Sequence, residues 1–138
     1  MFILDILYMT KILSFLKLIF YTSVIFLIII SLFPGSLLGF LFYEDIGKEP
    51  NLIDNPFGST INHFIYYIYV SLLGFTIYLK NEKFKIVFYS IFTLSIALEV
   101  VQYFVPNRAF QLNDLIGNIL GVLIAYSVVK IYLLLNNL

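Results

Sequence analysis

"ALEVVQYFVPNRAFQLNDLIGNILG", residues 97–121, joins two apolar runs through a short polar turn. The first half reads as a helix that ends. Residues 97–105 are apolar apart from Glu99 and Gln102, three residues apart and so on one helical face, and Pro106 and Asn107 then stop the run. Proline disfavours helix in the residue before it, and asparagine tolerates turn conformations. The second half reads as a helix that begins. Asp114 sits where the macrodipole favours a negative charge, as a cap or first-turn residue, and Asn118, Gly121 and Ala125 follow it within one narrow sector of a 3.6-residue repeat. The stretch therefore predicts two antiparallel helices with Arg108 in the turn between them.

The rest of the chain says what surrounds those helices. Its 138 residues are 62% hydrophobic and 12% charged, with a mean hydropathy of +1.01, which is too apolar for an ordinary soluble domain and points to the bilayer as solvent. Formal net charge is zero, so no global field argues for nucleic acid as a partner. The absence of cysteine removes disulfides, thiolate nucleophiles and Cys-based zinc sites.

A helix needs roughly 20 apolar residues to cross ~30 Å of hydrocarbon, and four stretches qualify: about 12–33, 61–79, 86–105 and 115–135. The first is too long for a signal-peptide core, and "SLFPGS" after it offers no small-x-small cleavage site, so it reads as an uncleaved span. Lys80, Lys83 and Lys85 crowd the turn between spans two and three, with Lys11, Lys17 and Lys130 towards the terminal ends. The loop after span one instead carries Glu44, Asp45, Glu49 and Asp54 against Lys48. Positive-inside logic then places both termini in the cytoplasm and residues 34–60 and 106–114 outside. Within the longer loop, "LLGFLFY", residues 37–43, is too short to span and reads as an interfacial helical turn. "NPFGST" supplies turn chemistry, with Ser59 or Thr60 as the N-cap of span two. No repeat, low-complexity tract or second domain is present, so residues 1–138 read as one all-α bundle of four transmembrane helices.

Charge inside hydrocarbon costs about 2.5–3.5 kcal/mol at a helix centre on insertion scales, so such groups face the bundle interior or water and have partners. Glu99 lies roughly 9 Å below the outer end of span three at 1.5 Å per residue. His63, the only histidine, enters near the outer end of span two with Tyr67 one turn below it. An up-down bundle would bring His63, Glu99, Gln102, Arg108, Asp114 and Asn118 to similar depth at one end. Gly117, Gly121 and Ala125 make a small-residue face on span four, suited to close helix packing.

The spacing Glu99-x-x-Gln102, Arg108, Asp114, Asn118, Gly121 resembles the signature of the VanZ-like family of bacterial integral membrane proteins. "NHFIYYIY" matches its H-F-x-x-Y through His63, Phe64 and Tyr67, and "SLFPG", residues 31–35, is similar to the S-L-x-P that ends its first span. The resemblance covers nearly the whole chain. Two departures stand out: Ser59 and Thr60 occupy positions where the family usually has Asp-Lys, and Ala125 replaces a common second glycine. The resemblance implies a multi-pass protein of the bacterial cytoplasmic membrane, linked through the family's name to glycopeptide resistance, teicoplanin above all.

Three functions fit the residues. In the first, His63, Tyr67, Glu99, Gln102, Arg108, Asp114 and Asn118 line an outward polar pocket for a membrane lipid, a lipid-linked envelope precursor or a lipidated antibiotic. In the second, the protein is an intramembrane enzyme on a lipid phosphate or ester, with Glu99 or Asp114 as base, His63 as acid or base and Arg108 steadying an anion. In the third, Gly117 and Gly121 recruit a partner or a second copy. Against these stands a purely structural reading, in which Glu99 pairs with Arg108 to dock spans three and four while Gln102 and Asn118 join helices by hydrogen bonds. No nucleophile elbow or phosphate-cradling loop supports an enzyme, and no cofactor is expected. One histidine and two acids are a set able to ligate a divalent ion, but their spacing is not diagnostic and no metal site is assigned.

Overall fold

The computed structural model describes residues 2–48, 56, 58 and 60–136, with side chains from residue 8 onward. Glu49, Asp54 and Ser59, which enter the sequence reading through loop charge and capping, lie outside the described residues. The described residues form five helices: α1 (Phe2–Leu32), α2 (Leu37–Tyr43), α3 (Thr60–Ile77), α4 (Phe84–Gln102) and α5 (Leu112–Asn136). All but α2 are long and apolar enough to cross a membrane. At 1.5 Å per residue the 19 residues of α4 extend about 28 Å, close to the hydrocarbon thickness.

The spans expected from sequence are all there, with shifted ends. α1 starts ten residues before position 12, because residues 2–32 contain neither glycine nor proline to interrupt a helix once formed. α4 stops at Gln102 rather than 105 and gives way to turns in which Tyr103, Phe104 and Val105 donate to carbonyls three residues back. Asn107 then takes a left-handed conformation, with φ of 59°, a role for which its short polar side chain is suited. α5 opens three residues early at Leu112 and so gathers Asp114 into its first turn.

The segment 37–43 is helical, as expected. Ser36 caps it by accepting the Gly39 N–H on its hydroxyl at 2.9 Å, and Glu44 closes it in a left-handed conformation. Phe40, Leu41, Phe42 and Tyr43 point outward.

Packing sorts the bundle into two ends. α3 and α5 form its closest pair. Their contact runs along Gly117, Gly121 and Ala125, all buried, and a Cβ at position 121 would lie 2.7 Å from the Phe64 carbonyl oxygen and 3.0 Å from the Tyr67 Cβ. The small-residue face of span four thus serves packing within the chain, against α3. α1 joins through Phe20, whose ring fills the space left by Gly74. Hydrogen bonds tie it further, Tyr21 Oη to Tyr78 Oη at 2.7 Å and the Tyr66 hydroxyl to the Ser23 carbonyl at 3.0 Å. One end of the core is aromatic, with Phe75 against Phe84 and Tyr126 and Phe88 against Tyr126. Lys17 and Lys130 lie over rings of that end, Tyr78 for the former and Phe84 and Tyr126 for the latter. Where α3 and α5 begin and α4 finishes, the core is polar instead: Glu99, Gln102, Asp114 and Asn118 are all buried there.

Candidate functional site

Helical periodicity presents the polar groups of each helix on a single inward face. On α4 these are Ser95, Glu99 and Gln102, on α5 Asp114 and Asn118, and on α3 Tyr67 and Ser71. Because α4 runs opposite to α3 and α5, the last turns of one meet the first turns of the others. Residues 63, 99 and 114, dispersed in sequence, become neighbours.

Glu99 is only 1% exposed. Its Oε1 accepts the backbone N–H of Gln111 at 2.9 Å, just ahead of the first turn of α5. An anion is well placed there, since the first N–H groups of a helix have no partner within it and the macrodipole favours negative charge. Oε2 receives the Asn118 amide at a long 3.5 Å, and the same amide nitrogen reaches the Ser95 carbonyl at 3.4 Å.

Asp114, 2% exposed, is held by α3. Its Oδ1 accepts from the Thr60 hydroxyl at 2.5 Å, and Oδ2 lies 3.7 Å from His63 Nε2. His63 is the most exposed member, its side chain 20% exposed. His63, Glu99 and Asp114 each offer one ligand atom within 4.8 Å of the others, a set able to hold a metal ion. Three buried polar atoms on α3 and α5, Tyr67 Oη, Ser71 Oγ and Asn118 Oδ1, have no hydrogen-bond partner among the described residues.

Arg108 is half-buried and turned towards α1. Its guanidinium donates to the Ile30 carbonyl through Nη2 at 3.0 Å and to the Phe33 carbonyl through Nε at 3.5 Å, where a cation complements the exposed carbonyls of a helix end. The acid that ties α4 to α5 does so through the Gln111 N–H, and the arginine ties the connecting turn to α1. Gln102 is buried one turn beyond Glu99, with no side-chain hydrogen bond to the cluster among the described residues. The structure thus unites His63, Tyr67, Glu99, Asp114 and Asn118, with Gln102 and Arg108 at the rim.

Sequence reasoning missed Thr60, Ser71 and Gln111 as members. Thr60, expected with Ser59 as one of two alternative N-caps, is the first residue of α3 and donates its hydroxyl to Asp114. Ser71 lies four residues beyond Tyr67 on one face of α3, a periodic signal that was there to be followed. Gln111 contributes its backbone, which no side-chain pattern announces.

No curated protein and no solved structure matches this chain. A family description does: VanZ/LLP1 matches residues 2–135. With that match running through all four apolar helices and every residue of the buried cluster, the chain belongs to the VanZ/LLP1 family of membrane proteins.

Proposed function

We propose that the polar end of the bundle receives the head group of an envelope amphiphile at the outer face of a bacterial cytoplasmic membrane, the ligand being a membrane lipid, a lipid-linked precursor or a lipidated antibiotic. The observation that carries this reading is the pair of buried, unpartnered atoms Tyr67 Oη and Asn118 Oδ1 beneath the half-exposed His63. A buried polar atom without a partner is costly, and a hydroxylated or amide-bearing guest would satisfy both. Lysines support the orientation. Lys17, Lys80, Lys83, Lys85 and Lys130 gather towards the aromatic end, opposite the cluster, and the positive-inside rule assigns that end to the cytoplasm. Altered susceptibility to glycopeptides would follow if the guest is a cell-wall precursor or the drug itself.

The test is native mass spectrometry and lipid extraction of protein purified from bacterial membranes. The expected result is a co-purifying amphiphile that is lost in Tyr67→Phe and Asn118→Leu. A correctly folded wild-type protein that carries none and binds neither a lipid-linked precursor nor teicoplanin would overturn the reading.

One observation favours a second reading, an intramembrane hydrolase or transferase: His63 Nε2 lies 3.7 Å from Asp114 Oδ2, a distance from which an acid orients a histidine for proton transfer as the two close up. Conversion of a lipid phosphate or ester by purified protein, abolished in His63→Ala, would establish it. An absence of turnover across envelope lipids would reject it.

A further inference from the structure

We propose that His63, Glu99 and Asp114, completed by Asn118 Oδ1, form a binding site for one divalent transition-metal ion, zinc or manganese. The inference rests on the site of the proposed function but not on its amphiphile. Four features converge on it. One atom from each of the three side chains lies within 4.8 Å of the others, and ligands on a zinc ion with bonds of ~2.1 Å stand roughly 3.4 Å apart, so binding draws the ligand atoms together by up to about 1.4 Å. Each carboxylate is held by one oxygen with the other turned to the cluster: Thr60 fixes Asp114 through Oδ1, leaving Oδ2 beside His63, and the Gln111 N–H fixes Glu99 through Oε1. Outer hydrogen bonds of this kind orient the ligands of metal sites.

The third feature is independent of the acids. Asn118 is 2% exposed, its amide nitrogen lies against Glu99 and the Ser95 carbonyl, and its carbonyl oxygen has no hydrogen-bond partner among the described residues. Because the nitrogen of that amide already stands against Glu99, a turn of the amide offers its oxygen as a fourth ligand. Tyr67 Oη on α3 is also buried and, among the described residues, without a hydrogen-bond partner. The fourth is charge: two carboxylates are buried together in the polar end of the core, and a dication is a counter-ion that suits them both. The imidazole nitrogen favours zinc and the carboxylate and amide oxygens suit manganese, whereas magnesium and calcium prefer oxygen ligands alone.

The test uses the full chain in detergent, purified with a histidine-free tag and stripped with chelator. Isothermal titration with zinc chloride and with manganese chloride is expected to show one ion per chain. His63→Gln and Asp114→Asn should each weaken binding at least tenfold, and Thr60→Val, which leaves every ligand in place, by about 10- to 100-fold. Should Asp114→Asn fail to fold, His63→Gln and Thr60→Val carry the comparison. Wild-type binding no tighter than that of His63→Gln, or a preference for magnesium over both test ions, would overturn the proposal. Amphiphile binding is measured separately in excess chelator. A guest that binds there while no ion titrates sinks the metal site alone, whereas a titrating ion with no guest in either condition upholds the metal site and rejects the proposed function.

Discussion

The Glu99 carboxylate of α4 accepts the backbone N–H of Gln111 at 2.9 Å, so a buried acid one turn from the end of one membrane helix caps the approach to the next. This bond closes the turn of residues 103–111 from beneath, while Arg108 fastens it to the end of α1. Replacing Glu99 by leucine leaves the Gln111 N–H without its acceptor, which is expected to cost about 1–3 kcal/mol. Glu99→Gln keeps a carbonyl oxygen there and should cost less. Thermal unfolding of the two variants in one detergent checks the order, and equal losses would refute the capping role.

Gly121 and Gly117 both face α3, but they meet different atoms. A methyl group at 121 would lie 2.7 Å from the Phe64 carbonyl oxygen, part of a rigid helix backbone, whereas at 117 its nearest neighbour is the Thr60 methyl at 3.1 Å. Gly121→Ala should therefore push α3 and α5 apart at about 1–3 kcal/mol, the usual cost of overpacking, and Gly117→Ala should cost less. Melting temperatures of the two variants decide it.

Thr60 donates across helices to Asp114. Its replacement by valine, similar in shape and without the donor, is expected to destabilise by roughly 0.6–1.7 kcal/mol, from the average to the maximum for interhelical hydrogen bonds in a membrane protein. Thr60→Ser should restore most of the loss. A serine variant as weak as valine would show that the methyl packing, not the hydroxyl, matters.

Arg108→Ala removes two donors from the carbonyls at the end of α1 and leaves the α3–α5 contact as it is. Amide exchange should rise at least severalfold in residues 30–36 and 103–111 and stay unchanged around Gly121. Lysine at this position supplies a single ammonium in place of a fork and should restore protection only in part.

The proposed orientation is open to direct measurement because the chain contains no cysteine. Phe110→Cys, in the exposed turn at the polar end, should react with an impermeant thiol reagent added to intact cells. Lys83→Cys should react only after permeabilisation. The reverse pattern would invert the topology and put the cluster at the cytosolic face.

Four spans, the turn at Pro106 and Asn107 and the inward faces carrying Glu99, Asp114, Asn118, Gly121 and Ala125 were legible from the order of residues alone. Each is a consequence of hydrocarbon thickness, the 3.6-residue repeat and local backbone preference, all of which act within one helix. Partner choice was not legible. That Glu99 would meet a backbone N–H, that Arg108 would reach α1, and that Thr60 would serve Asp114 depend on how far each helix slides and rotates against its neighbours. Gly117 and Gly121 mark a face able to approach another helix, but only tertiary packing turned it onto α3. Sequence determined which groups must be hidden from lipid; the tertiary structure decided which of them satisfy one another, because a hydrogen bond needs its two ends within about 3 Å and only the assembled bundle sets that distance.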